Sequence, residues 1–212
     1  MTTAVREFAQ ELHDATAAAH ERAENSTFIA DLIEGRQDAQ AFIRLQEQAW
    51  LFYQALEETA RTVRANTSDP VIRQLLDPRL ERTATLEHDL DQLHGGSEWR
   101  DEITALPATQ RYVSRLQGIG EAPELVAHHY VRYLGDLSGG QVIATMMRRH
   151  YDVPAAALTF YEFPELGKLK PYKDQYRKLL NALEFDDAEY DRALSEAGEA
   201  FSLNAQVFQD LC

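Results

Sequence analysis

His20 lies in Thr16-Ala-Ala-Ala-His-Glu-Arg-Ala-Glu24, among small neighbours that leave one helical face free of bulk. A flat ligand pressed against a helix needs that lack of bulk. Glu24 follows at i+4, on the same face. A metal-bound imidazole usually donates its other N–H to an oxygen acceptor, which fixes the ring and raises its basicity. His20 and Glu24 suit such a pair, and equally suit an exposed histidine–carboxylate contact. Spacing alone leaves both open.

A second segment, Tyr130-Val-Arg-Tyr-Leu-Gly-Asp-Leu-Ser-Gly-Gly-Gln-Val-Ile143, puts three glycines inside a stretch with helical flanks. Each glycine costs a helix about 1 kcal/mol relative to alanine, so the three cost roughly 3 kcal/mol. Tight helix packing, a loop that splits the helix, or close approach of backbone to a flat ligand would each account for them. Gly135 and Gly139, at i and i+4, share one bare face beside Asp136.

Other metal chemistry fits poorly. None of the seven histidines has the Glu-x-x-His spacing of di-iron bundles. His128 and His129 are adjacent and diverge by about 100° on a helix. Cys212 is the only cysteine, which excludes a Cys/His zinc set and an internal disulfide and fits a reducing compartment. His88, His94 and His150 read as surface residues.

The elements that must carry these groups are helical, because apolar residues recur at spacings of three and four. Val5, Phe8 and Leu12 open a helix expected from about Thr3 to Ala23. Phe42, Leu45, Ala49, Phe52 and Leu56 mark another, from an Asp38 cap to about Ala65. Breaks are expected at Asp69-Pro70 and Asp77-Pro78, then helices over about Pro78–Leu93 and Thr109–Gln117. Pro123 begins a long helix reaching about His150, and Pro171 opens one to about Leu183. The last follows Asp186-Asp187 and runs to about Phe208. The expectation is a single all-α domain over residues 1–212.

Hydrophobic residues make up 44% of the chain, enough for a core, and the net charge of −14 disfavours nucleic acid as a partner. All four lysines, Lys168, Lys170, Lys173 and Lys178, fall in one short stretch with Arg177. A solvated helix face and an anion site both fit. No apolar run approaches the roughly 20 residues of a membrane helix. The N-terminus lacks the basic flank and apolar stretch of a signal peptide. A cytoplasmic protein without a membrane anchor is expected, with a monomer as the default.

His129-Tyr-Val-Arg-Tyr-Leu-Gly-Asp-Leu-Ser-Gly-Gly-Gln141 closely resembles the signature of heme oxygenases. The likeness extends to Ala19-His20-Glu21 with Glu24, Tyr53 to Glu58, Lys168 to Arg177, and Phe201 to Phe208. It is greatest to the soluble bacterial enzymes of iron acquisition from heme. The resemblance implies heme b held between a proximal and a distal helix, as both cofactor and substrate. O2 and electrons from a reductase or ferredoxin would open the ring to biliverdin, CO and ferrous iron, with attack favoured at the α position.

In that pattern His20 matches the axial iron ligand and Glu24 its hydrogen-bonding partner. Gly135 and Gly139 match the distal glycines, and Asp136 the carboxylate that acts through water. Tyr53, Arg132 and Asn204 match the surrounding polar network. Tyr130, Lys168 and Arg177 match the propionate-binding groups, and Phe201 and Phe208 the pocket aromatics. His13 stands where similar bacterial enzymes often carry lysine. Val131 replaces a threonine of animal relatives. The competing reading is a non-enzymatic heme carrier or sensor, which would have little need of a bare distal floor beside a carboxylate.

Overall fold

The computed structural model describes residues 7–212, and no strand occurs among them. Ten α-helices follow one another: α1 (Phe8–Glu24), α2 (Thr27–Ile33), α3 (Ala39–Asn66), α4 (Pro70–Leu75), α5 (Thr83–His94), α6 (Trp99–Glu102), α7 (Pro107–Gln117), α8 (Ala122–Tyr151), α9 (Leu169–Asn181) and α10 (Asp187–Asp210). The expected start of the first helix near Thr3 lies outside the described residues. Within them, Glu7 is non-helical and the helix begins at Phe8.

Helix boundaries follow local chemistry. Asp38 accepts from Ala41 N at 2.8 Å to start α3. Asp69 caps α4 ahead of Pro70, and Asp186 forms a reciprocal capping box with Glu189 to start α10. Gly95 ends α5 in the left-handed conformation, with φ 75°. The stretch expected as one helix from Pro78 to Leu93 is instead a 3-10 turn, Pro78–Leu80, followed by α5. Glu57 explains the break, because its carboxylate accepts from the backbone N–H of Arg82 at 2.5 Å and of Thr83 at 3.1 Å.

The α3 stripe expected from spacing is buried throughout, from Phe42 to Leu56. It packs against α5, α7 and α8, while α10 lies against α1, α7 and α8. Both α1 and α8 pack on α10, α9 and α2. These shared supports fix α1 and α8 relative to each other. No helix of the described residues is long and apolar enough to cross a membrane.

Helix α8 runs without interruption through all three glycines, so the loop reading of that segment is excluded. The glycines differ in their surroundings. A Cβ on Gly140 would lie 2.9 Å from Tyr161 Cδ1, so tight packing accounts for that one. A Cβ on Gly135 or Gly139 would meet nothing within 4 Å. Packing does not explain those two.

Candidate functional site

His20 projects from the penultimate turn of α1, with its side chain 51% exposed. Its Nδ1 lies 3.5 Å from Glu24 Oε2, within ion-pair range and long for a hydrogen bond. The Phe201 ring of α10 meets the imidazole edge-on at 5.9 Å. Thr16, one turn earlier, is buried and turns its hydroxyl inward to Leu12 O at 2.7 Å. The face around His20 is therefore small and apolar, as the sequence implied.

On α8, Asp136 sits beside Gly135 and is held from across the fold. The Tyr53 hydroxyl of α3 donates a short hydrogen bond to Asp136 Oδ2. Arg132 Nε and Nη2 each donate to the Tyr53 oxygen at 3.2 Å, and Nη1 donates to Asn204 Oδ1 at 2.7 Å. Arg132 comes only within 3.8 Å of Asp136 Oδ1. Tyr53, rather than the i−4 arginine, thus satisfies the carboxylate directly, and Arg132 stabilises it by charge. Burial pushes the Asp136 pKa above the usual carboxylate range, against the Arg132 charge and the Tyr53 hydrogen bond. For Arg132 burial acts in the opposite sense. The Tyr53 and Asp136 oxygens outweigh it and hold the guanidinium above its ordinary value.

Tyr53, Arg132, Asp136 and Asn204 therefore come together as one network. Tyr130 is buried on α8 and reaches the α1 and α9 side of the site. Burial raises its phenol, while a hydrogen bond with Thr16 and the charge of Arg177 lower it. Arg177 is half exposed and pairs with Asp174 at 3.2 Å. Lys173 Nζ donates to Ser138 Oγ of α8 at 3.3 Å, so the basic stretch borders the glycine segment. Lys168 is exposed at the N-cap of α9, with no side-chain capping hydrogen bond.

Two expected residues lie apart from this convergence. His13 is exposed and engages Asp14 at 3.1 Å. Phe208 stacks on Phe28 of α2 at 6.3 Å rather than meeting His20. Other residues join the site unannounced by the sequence. Tyr112 packs on Phe52 within the field of Arg132 and Asp136. Burial pushes its phenol up to about 12, and its hydroxyl has no protein partner. Tyr133 stands edge-on to Tyr53 at 5.9 Å and donates to Glu57 at 3.3 Å. Glu57 falls at i+4 from Tyr53, the one spacing that pointed to it.

An accessible imidazole on α1, and a stretch of α8 bare of side chains beside a buried, hydrogen-bonded carboxylate, define a protein suited to clasp a planar, metal-bearing ligand. A family model described as heme oxygenase matches residues 6–210. The chain is 41% identical over 205 residues to heme oxygenase 1 of Gallus gallus, covering 94% of this chain and 68% of that protein. It superposes with TM-score 0.90 and 34% identity on heme oxygenase-2 of Synechocystis, solved with heme and NO, covering 97% of this chain and 85% of that one. A TenA homologue from P. horikoshii shares the fold at TM-score 0.74 with 11% identity over 96% of this chain and 97% of that one. The chain belongs to the heme oxygenase family, and it is an oxidoreductase with heme as its substrate.

Proposed function

We propose that this chain holds heme through His20 and opens the ring oxidatively to biliverdin, CO and ferrous iron, in the service of iron acquisition. The observation that carries the reading is the open space over Gly135 and Gly139, beside Asp136 on the same helix. An alanine at either position would fit the helix and strengthen it. Glycine is required only if something flat must come close to the backbone.

Bound heme supplies the iron at which O2 is reduced and the ring that is oxidised, so it is prosthetic group and substrate together. The protein's part is to bind, orient and supply protons. His20 would hold the iron, with Nδ1 turned toward Glu24. Tyr130, Lys168 and Arg177 would hold the propionates, and Phe201 steadies the His20 ring edge-on. Gly135 and Gly139 keep side chains away from the reacting edge.

Asp136 holds the proton supply. Tyr53 occupies Oδ2, which leaves Oδ1 to bind water. Arg132 and Asn204 keep Tyr53 oriented. Burial raises this carboxyl, which favours its proton-bearing form and suits it to relay a proton to that water.

We further infer that a reductase or ferredoxin supplies electrons, that the chain acts as a monomer in the cytoplasm, and that residues 1–212 form one domain. The exposed basic face of α9 on an otherwise acidic chain supports an anionic partner beside the propionate site. Ligation by His20 is tested by resonance Raman of the ferrous heme complex. The wild type is expected to show an iron–histidine stretch that His20→Ala loses and added imidazole restores. An unchanged stretch in His20→Ala would contradict the assignment.

A further inference from the structure

The 3-10 turn Thr159–Tyr161 packs on α8 at Gly140. It is anchored at its base by Asp89 of α5. That carboxylate accepts from Thr159 N at 3.0 Å, Thr159 Oγ1 at 2.6 Å and Phe160 N at 2.8 Å. From this base the turn reaches the site by two side chains. Phe160 stands edge-on against Tyr53 at 5.5 Å. Tyr161, 4% exposed, lies on the bare backbone of Gly140.

Both ends of Tyr161 are tied. Gln141 Nε2 of α8 donates to its carbonyl oxygen at 2.7 Å. Gln46 Nε2 of α3, in a residue only 1% exposed, donates to its hydroxyl at 3.1 Å. Burying an amide and a phenol is costly unless they satisfy each other. The pair therefore fixes the depth and angle of the ring rather than merely filling space.

Resting on the heme-cleaving reading above, we propose that Thr159–Tyr161 is a strap that sets the height of the Gly135–Gly140 segment, and that Tyr161 is the positioning residue that confines ring opening to one edge of the heme. A helix with three glycines in six positions resists bending poorly. Tyr161 restrains it from outside at Gly140, about 100° around the axis from Gly139. Phe160 meanwhile steadies Tyr53, whose hydroxyl holds Asp136. One segment thus couples the floor of the site to its proton-holding pair. The two oxygen-directing features move together or not at all.

Tyr161→Phe keeps the ring and orphans the Gln46 amide. Hydrogen exchange of the heme-free protein should rise about tenfold at amides of residues 135–143 and stay unchanged in α5 and α7. The heme complex should then give a mixture of biliverdin isomers where the wild type gives one. Gln46→Leu with Tyr161→Phe removes both polar ends and should restore protection and the single isomer. Gly140→Ala, which displaces the ring directly, should reproduce the Tyr161→Phe pattern. Wild-type exchange and isomer ratio in both Tyr161→Phe and Gly140→Ala would overturn the proposal, as would a rise spread evenly over all helices. A wild type that yields no biliverdin overturns the heme-cleaving reading instead, and the exchange arm still decides for or against the strap.

Discussion

Asp136 has one carboxylate oxygen committed to Tyr53 and one facing Arg132 at 3.8 Å. The second accepts no hydrogen bond from Tyr53 and is the oxygen most open to water. Asp136→Ala is expected to leave iron ligation by His20 unchanged and to lower biliverdin formation about 100-fold, the scale of a lost proton-transfer group. If the carboxylate served only to hold α8 in place, the variant would lose thermal stability while turnover stayed near normal. Stopped-flow absorbance of the heme complex, read beside a melting curve, separates the two. The placement of His20 with Glu24 on one helical face, and of Gly135, Asp136 and Gly139 along another helix, was legible because each falls in a short, dense motif. The Tyr53–Asp136 bond was not, because its partners stand 83 residues apart. Arg132, one turn before Asp136 on the same helix, turns its guanidinium to Tyr53 and Asn204. Tyr112 was invisible for the same reason, since a tyrosine on an amphipathic helix reads as ordinary core.

Among the elements, α8 carries the most information in its departures from a good helix. Gly139→Ala should stabilise the heme-free protein by about 0.5–1 kcal/mol, since the added methyl meets nothing and helix propensity improves. The same change should weaken heme binding. Urea unfolding and heme titration of the one variant report both, and loss of stability with unchanged affinity would mean that Gly139 serves packing. A second prediction concerns where α7, α8 and α10 meet. Glu196 accepts from His128 Nε2 at 2.7 Å and from Arg115 at 2.7 and 2.6 Å. Burial pushes its pKa up, but these partners outweigh it and hold the carboxyl at about 2. A depressed carboxyl stabilises the fold above its unfolded value of about 4.3 and loses that contribution as pH falls through the folded value. Glu196→Gln should cost about 2 kcal/mol at pH 7, or roughly 4–8 °C in Tm. The gap to wild type should close between about pH 4.5 and 2, and a gap independent of pH over that window would contradict the linkage. Long helices with caps, such as α3 and α10, were legible in period and boundary. Helices α2, α4 and α6, of seven, six and four residues, are too short to display a period, and their folding is decided by tertiary contact.

At the scale of the whole molecule, the fold places an imidazole on α1 and a bare stretch of α8 on common supports, with the cationic face of α9 alongside. The all-helical class was legible from hydrophobic spacing. The packing was not, because α10 braces both helices along its length and hydrophobic spacing does not name the partners of a buried face. An architecture shared with a TenA homologue does not select the chemistry, so the account stands on the site. Its central claim is that bound heme is consumed rather than carried. The direct measurement is to incubate the purified protein with one equivalent of heme and a reductant under air, following absorbance and released gas. The account predicts loss of the heme band with formation of biliverdin and CO; intact heme recovered after reduction in air would contradict it and leave a carrier.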